Sequence, residues 1–281
     1  MVGCFVFIAV RAGRFALGYN SRMSWASRRR TTYLTGVIIF FIVVIGGPVA
    51  YIYLKTPPTC DDGIQNQGET SIDKGGPCLI LDERMLQPHA TLWARSFRVR
   101  DGSYNAVAYI QNPNNNAGVR AARYRFGLYD SQNILIAERE GTIYIMPGAV
   151  TPVIATRINT GSRIVTHTFF ELSEPLVWER MKDNTLVLSV SNKDISDVAG
   201  TPRLTATVKN NSVASLTDIS FVAVIFDPAG NAFAASATSL ARIDSGASSQ
   251  ITFTWPDPFT MQTGKVDVIP LVRPTLTDAQ N

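Results

Sequence analysis

Two histidines in 281 residues, three cysteines, and no acidic side chain before Asp61 are what this sequence has little of, and each shortage excludes something. His89 and His167 stand far apart, with no second histidine or cysteine at metal-ligand spacing, so neither a zinc site nor a Ser-His-Asp arrangement is legible. No Gly-x-Ser-x-Gly elbow and no phosphate-cradling glycine loop occurs, and the chain is expected to be noncatalytic, with no cofactor. The missing acids matter differently. Residues 1–55 hold six Arg, one Lys and no acid, while the whole chain carries only +4, so residues 56–281 are net acidic at −3. The basic balance belongs to the N-terminus, and a nucleic-acid surface is not expected beyond it.

What is present early is an uncharged run of 22 residues, 33–54, YLTGVIIFFIVVIGGPVAYIYL. At about 1.5 Å per residue a helix of this length covers the roughly 30 Å hydrocarbon layer. Arg28, Arg29 and Arg30 precede the run and only Lys55 follows it, which by the positive-inside bias predicts a cytoplasmic N-terminus, 1–32, and an extracytoplasmic remainder. A cleaved secretory signal is the rival reading; Pro48 sits badly in its one small-residue cleavage candidate. Gly46-Gly47-Pro48 predicts a local kink. Residues 1–22 read either as an amphipathic segment on the inner membrane face or as lying upstream of a start at Met23. Cys4 has no lipobox before it.

Residues 55–84 read as a linker closed by a disulfide between Cys60 and Cys78. Asp61, Asp62, Asn66, Glu69 and Asp73 gather oxygen atoms in that loop, the ligand type calcium takes, and a plain solvated turn uses the same residues. The stretch CDDGIQNQGETSIDKGGPC resembles a short cysteine-rich motif of bacterial secreted proteins, departing from it at Lys74, where the motif has cysteine.

From about residue 85 short alternating runs of β-branched and aromatic residues replace any helical periodicity. An internal repeat organises them. Val107-Ala-Tyr-Ile-Gln-Asn112 matches Thr205-Ala-Thr-Val-Lys-Asn210 at a shift of 98, Tyr124 to Asp130 matches Phe221 to Asp227 at 97, and Gly148 matches Gly246 at 98. The prediction is all-β: two tandem immunoglobulin-like β-sandwiches, 85–181 and 182–275, each of about seven strands, behind one N-terminal transmembrane helix and ahead of a tail, 276–281. Trp93, Trp178 and Trp255 are expected in cores or at the domain junction.

The strand Phe126-Gly-Leu128-Tyr129-Asp130, its turn through Asn133 and the later Gly148 are similar to the FxLYD family of prokaryotic extracytoplasmic sandwiches; the second copy is a weaker match. That resemblance implies a fold and a bacterial envelope setting, and no activity. In the first copy Tyr124, Phe126 and Leu128 should face the core while Arg123, Arg125 and Tyr129 face out. The corresponding outward set in the second copy, Val222, Val224 and Phe226, is apolar, so something must cover it: the first domain, a partner, or a loop of its own domain. The functions these features favour are a noncatalytic structural or docking subunit bound to another envelope protein and, from a different class, a surface receptor or adhesin for a carbohydrate or other extracellular ligand.

Overall fold

In the computed structural model, residues 25–55, 59–182 and 187–273 are described, and they form two units, one helical and one of β-strands. The helical unit runs as α1 (Trp25–Phe41), one π turn (Ile42–Gly46) and α2 (Gly47–Lys55). Within it, the 24 residues Arg28–Tyr51 contain an 18-residue window with mean hydropathy 2.3, long and apolar enough to cross a membrane. Pro48 has no N–H to return to the carbonyl one turn earlier, and the helix meets that loss by widening just before it rather than by breaking. The sequence-predicted segment before residue 25 lies outside the described residues.

Among the described residues the β unit holds thirteen strands. β1 (Ala90–Arg100), β2 (Ser103–Gln111) and β5 (Val150–Asn159) make one sheet in the order β1-β2-β5. β3 (Ala117–Tyr129), β4 (Leu135–Ile145) and β6 (His167–Leu172) make its partner in the order β4-β3-β6, with the two-residue β7 (Glu179–Arg180) continuing along β3. The second copy repeats the plan. β8 (Leu188–Ser196), β9 (Arg203–Asn210) and β12 (Ser248–Thr254) form one sheet, and β10 (Leu216–Phe226), β11 (Ala232–Ile243) and β13 (Lys265–Leu271) the other. Both copies are immunoglobulin-like sandwiches with the same strand order, so the repeated sequence blocks occupy equivalent strands.

Among the described residues the first copy has seven strands, counting the two-residue β7, and the second has six. The seventh strand is short because the chain after β6 leaves the sheet at Glu174-Pro175, drops Leu176 and Trp178 into the core, and rejoins β3 only as β7. A stretch that contributes core residues by leaving the ladder looks, in a pattern of apolar positions, like one more strand.

The two cores are separate. Phe126, Leu128, Ile110, Val153, Phe170 and Trp178 centre the first, and Phe221, Ile225, Leu204, Phe253, Ile251 and Trp255 the second. Repeated polar residues close corresponding ends. Asn112 and Asn210 are both buried, and each donates its side-chain amide to backbone carbonyls, Asn112 to Ala117 and Met146 at 2.7 and 2.9 Å, Asn210 to Ala214 and Asp244 at 2.8 and 3.1 Å. Each also accepts a backbone N–H two residues on. Removing either would orphan buried backbone groups, which explains why the repeat keeps Asn here.

Candidate functional site

The outward residues of β10 define the most informative surface. Val222, Val224 and Phe226 are 1%, 0% and 8% exposed, although they point away from their own core. The first sandwich covers them. Phe97 on β1 and Val107 and Tyr109 on β2 meet them, with Met146 from the first copy and Ala232, Ala235 and Leu271 from the second closing the cluster. The outer face of sheet β1-β2-β5 therefore lies on the outer face of sheet β11-β10-β13, giving four sheets stacked face to face, and the central strands β2 and β10 are apolar on both sides for that reason.

Aromatic geometry and a few polar contacts fix the register of this junction. Trp93 lies 4.4 Å from the Tyr109 ring and meets Phe226 edge-on at 6.3 Å, while Lys265 sits 5.3 Å over Phe226. The Asn105 amide donates to the Ala235 carbonyl at 3.0 Å and its oxygen accepts the Arg157 N–H at 3.0 Å, so one buried side chain ties β2 to both neighbours. Burial, with Asp267 opposite, pushes the Tyr109 phenol far above its ordinary range.

The expected core face of β3 is where the sequence placed it, with Phe126 and Leu128 buried and Tyr124 partly so. On the other face Arg125 bridges Glu138, at 3.0 Å, and Glu171. Tyr129 folds back along the strand over Gly127, where an added Cβ would sit 2.9 Å from the ring. That contact gives the glycine of the Phe-Gly-Leu-Tyr-Asp run a physical reason. Asp130 accepts the backbone N–H groups of Gln132 and Ile134, each at 2.9 Å, and pairs with Arg163; Asp227 accepts the Asn231 N–H at 2.7 Å in the equivalent turn. These bonds, led by Ile134 and Asn231, hold both carboxyls below the usual carboxylate range.

In the loop beyond the helix Cys60 and Cys78 are bonded, with Cα atoms 5.5 Å apart. Glu69 is buried at 6% exposure. Its Oε2 accepts the Asn66 and Asp73 N–H groups, and its Oε1 lies 3.1 Å from Cys78 Sγ. A disulfide sulfur has no hydrogen to donate, so the last is a contact only, and the grouping of Cys60, Glu69 and Cys78 offers no thiolate to a metal. Asp62 caps Ile64 and holds the Asn66 amide, and Asp73 accepts the Gly63 N–H; Asp61 lies exposed beside them. Of the five candidate calcium ligands, three thus direct carboxylate oxygens at N–H groups of the loop itself. The loop is also no free spacer. Leu81 and Arg180 bond across to Trp178 and Leu79, Ile80 pairs with Glu179, and Arg180 reaches the Gly76 carbonyl at 2.6 Å, so residues 76–82 belong to the first sandwich.

His89 tilts against Trp178 with rings 5.8 Å apart, and His167 lies exposed on β6, 3.0 Å from its neighbour Thr166. Trp93 stands at the junction, one of the two places expected for it, while sequence reasoning missed the rest of the first copy's half, Phe97, Val107 and Tyr109. Its signal was in the run YNAVAYI of β2, apolar at odd and even positions alike, the same pattern that β10 shows.

Fold and surface together define a tandem β-sandwich chain carrying one apolar N-terminal helix. No family model and no curated protein matches it. Among solved structures, red sea bream transglutaminase aligns over 65% of this chain and 31% of its own at 10% identity and TM-score 0.22. Bacteroides uniformis β-glucuronidase aligns over 63% and 23% at 12% and 0.19, and a tandem CBM22 domain of Paenibacillus barcinonensis Xyn10C over 68% and 88% at 7% and 0.14. The chain spans a third or less of the first two, and superpositions this loose identify no relative.

Proposed function

We propose that this is a membrane-anchored, noncatalytic docking or structural subunit of a bacterial envelope, built on FxLYD-type domains and held with its N-terminus in the cytoplasm and its sandwiches outside. The observation that carries the reading is the junction: the apolar face of β10 is closed by the first sandwich, which joins two small domains into one stiff block presenting polar outer sheets. The apolar helix supports anchoring, and the triple arginine before it supports the orientation. The test is to tag the full-length protein in its own host, solubilise gently and identify what co-purifies in near-stoichiometric amounts; recovery of the protein alone overturns the subunit role. Protease added to intact cells should reach residues 59–273 and spare the N-terminus.

A second reading, a receptor or adhesin for carbohydrate, draws on Phe169, half-exposed on the outer face of β6 beside the strand pair of Gly127. Binding to a glycan array that disappears in Phe169→Ala would favour it over the first.

A further inference from the structure

The three arginines ahead of the apolar run are not equivalent. At about 100° per residue, Trp25, Arg28, Arg29, Thr32 and Tyr33 share a helix sector roughly 140° wide, and Arg30 lies about 130° from its centre. The five side chains line a hollow of about 390 Å³ on α1, and Arg30 takes no part in it. Within the hollow the Arg29 guanidinium lies 4.0 Å over the Trp25 ring. Stacking holds that guanidinium by its flat face and leaves the N–H groups of its rim to donate. Thr32 spends its hydroxyl on the Arg28 carbonyl at 2.9 Å, so the donors the hollow offers outward are the two guanidiniums and the Tyr33 phenol.

These cations have no anion of their own. No acidic side chain precedes Asp61, so the helical unit, which ends at Pro57, holds none to pair with Arg28 or Arg29. Their depth says what anion meets them. Arg28 and Arg29 stand five and four residues before Tyr33, where the uncharged run begins, which is roughly 6–8 Å along the helix. A headgroup layer is about 5–8 Å thick, so a helix whose apolar run fills the hydrocarbon sets both guanidiniums level with lipid phosphates. Below them the same sector continues through Gly36, where an added Cβ would meet nothing within 4 Å, to the exposed Ile39 and Phe40. That track gives an acyl chain room to lie against the helix.

We propose that this face of α1 binds one anionic phospholipid, its phosphate held by the rim of Arg29, by Arg28 and by the Tyr33 phenol, with an acyl chain along Gly36. The inference rests on the anchor reading proposed above and adds the lipid that the anchor selects.

The test begins with an alkaline carbonate wash of host membranes carrying the full-length protein. Release of the protein overturns the anchor and this site with it; retention leaves the site to be judged alone. The protein is then reconstituted in vesicles of equal phosphatidylcholine and phosphatidylglycerol, extracted in mild detergent, and its retained lipid counted by native mass spectrometry. Phosphatidylglycerol should exceed phosphatidylcholine by roughly fivefold or more. Arg29→Gln should bring the ratio close to parity, and Arg29→Lys, which keeps the charge and loses the planar fork, should lose part of it. Arg30→Gln removes the same charge from outside the sector and should leave the preference intact. Inorganic phosphate in excess should not displace the lipid, because it has no chain to lie on the helix. Equal retention of the two lipids overturns the site. Equal loss in Arg29→Gln and Arg30→Gln overturns it in favour of a diffuse basic field, and displacement by inorganic phosphate overturns a lipid as the source of the anion.

Discussion

Replacing Val224 by Asp should uncouple the two sandwiches without unfolding either. Val224 is fully buried, yet it touches the first copy rather than its own core, so the cores centred on Phe126 and Phe221 keep all their residues in the variant. Losing the burial of one valine side chain costs about 1.5–3 kcal/mol, and an unpaired carboxylate held there would cost several more. The junction can escape the second penalty by opening, so the observed loss of coupling has the first as its floor, roughly a 10- to 150-fold shift toward the separated state. Trp93 reports the event, because it packs on Tyr109 and Phe226 at the junction, whereas Trp178 and Trp255 lie in the cores. The assay is urea unfolding of the detergent-solubilised full chain followed by tryptophan emission and far-UV circular dichroism. Val224→Asp should red-shift emission before strand content falls and should split one transition into two. Thr252→Asp, on an outward position of β12, should do neither. Unchanged emission and a single unshifted transition in Val224→Asp would refute the reasoning, since a charge cannot sit in a closed apolar junction at no cost.

Four further outcomes are expected. Asn112→Ala and Asn210→Ala each remove bonds to buried carbonyls and should cost about 2–4 kcal/mol apiece in chemical denaturation, additively, since they lie in different copies. Cys60→Ser should lose about 3 kcal/mol of loop closure but only locally, so limited proteolysis should cut within residues 60–78 while the sandwiches survive. Phe126→Ala should destabilise the first copy by about 3–5 kcal/mol in thermal unfolding, and Arg125→Ala, on the opposite face of the same strand, by about 1 kcal/mol or less. The carboxyls of Asp130 and Asp227 have folded-state pKa values below the unfolded one, so their stabilisation is complete above about pH 4 and lost as pH falls through the folded value. Asp130→Asn should therefore flatten the acid limb of a stability–pH curve measured by urea titration.

Much of this architecture was legible in residues. The shift of 97 to 98 between Asn112 and Asn210 and between Asp130 and Asp227 located equivalent strand ends, because backbone geometry at those ends leaves little choice of side chain. The apolar outward set Val222, Val224 and Phe226 announced that something covers β10. What covers it was not legible, since β1 and β2 lie more than a hundred residues earlier and apolar patterning carries no address. The shortness of β7 was not legible for a related reason: Leu176 and Trp178 look like strand positions while entering the core off the ladder. The oxygen-rich loop reads two ways for a physical reason. Asp62, Glu69 and Asp73 are the residue types that bind calcium, and they are also the ones that close a short loop on its own N–H groups.

The face-to-face junction also makes the two copies unequal. Each sandwich has two outer sheets and gives up only one, and it is a different one in each: β1-β2-β5 in the first, β11-β10-β13 in the second. Neither copy can therefore stand in for the other, and neither is a clean product if the chain is cut between them. A fragment ending before β8 would bring Phe97, Val107 and Tyr109 to water, and its complement would do the same with Val222, Val224 and Phe226. A cut at the boundary should thus yield two halves with bared apolar faces instead of two soluble domains.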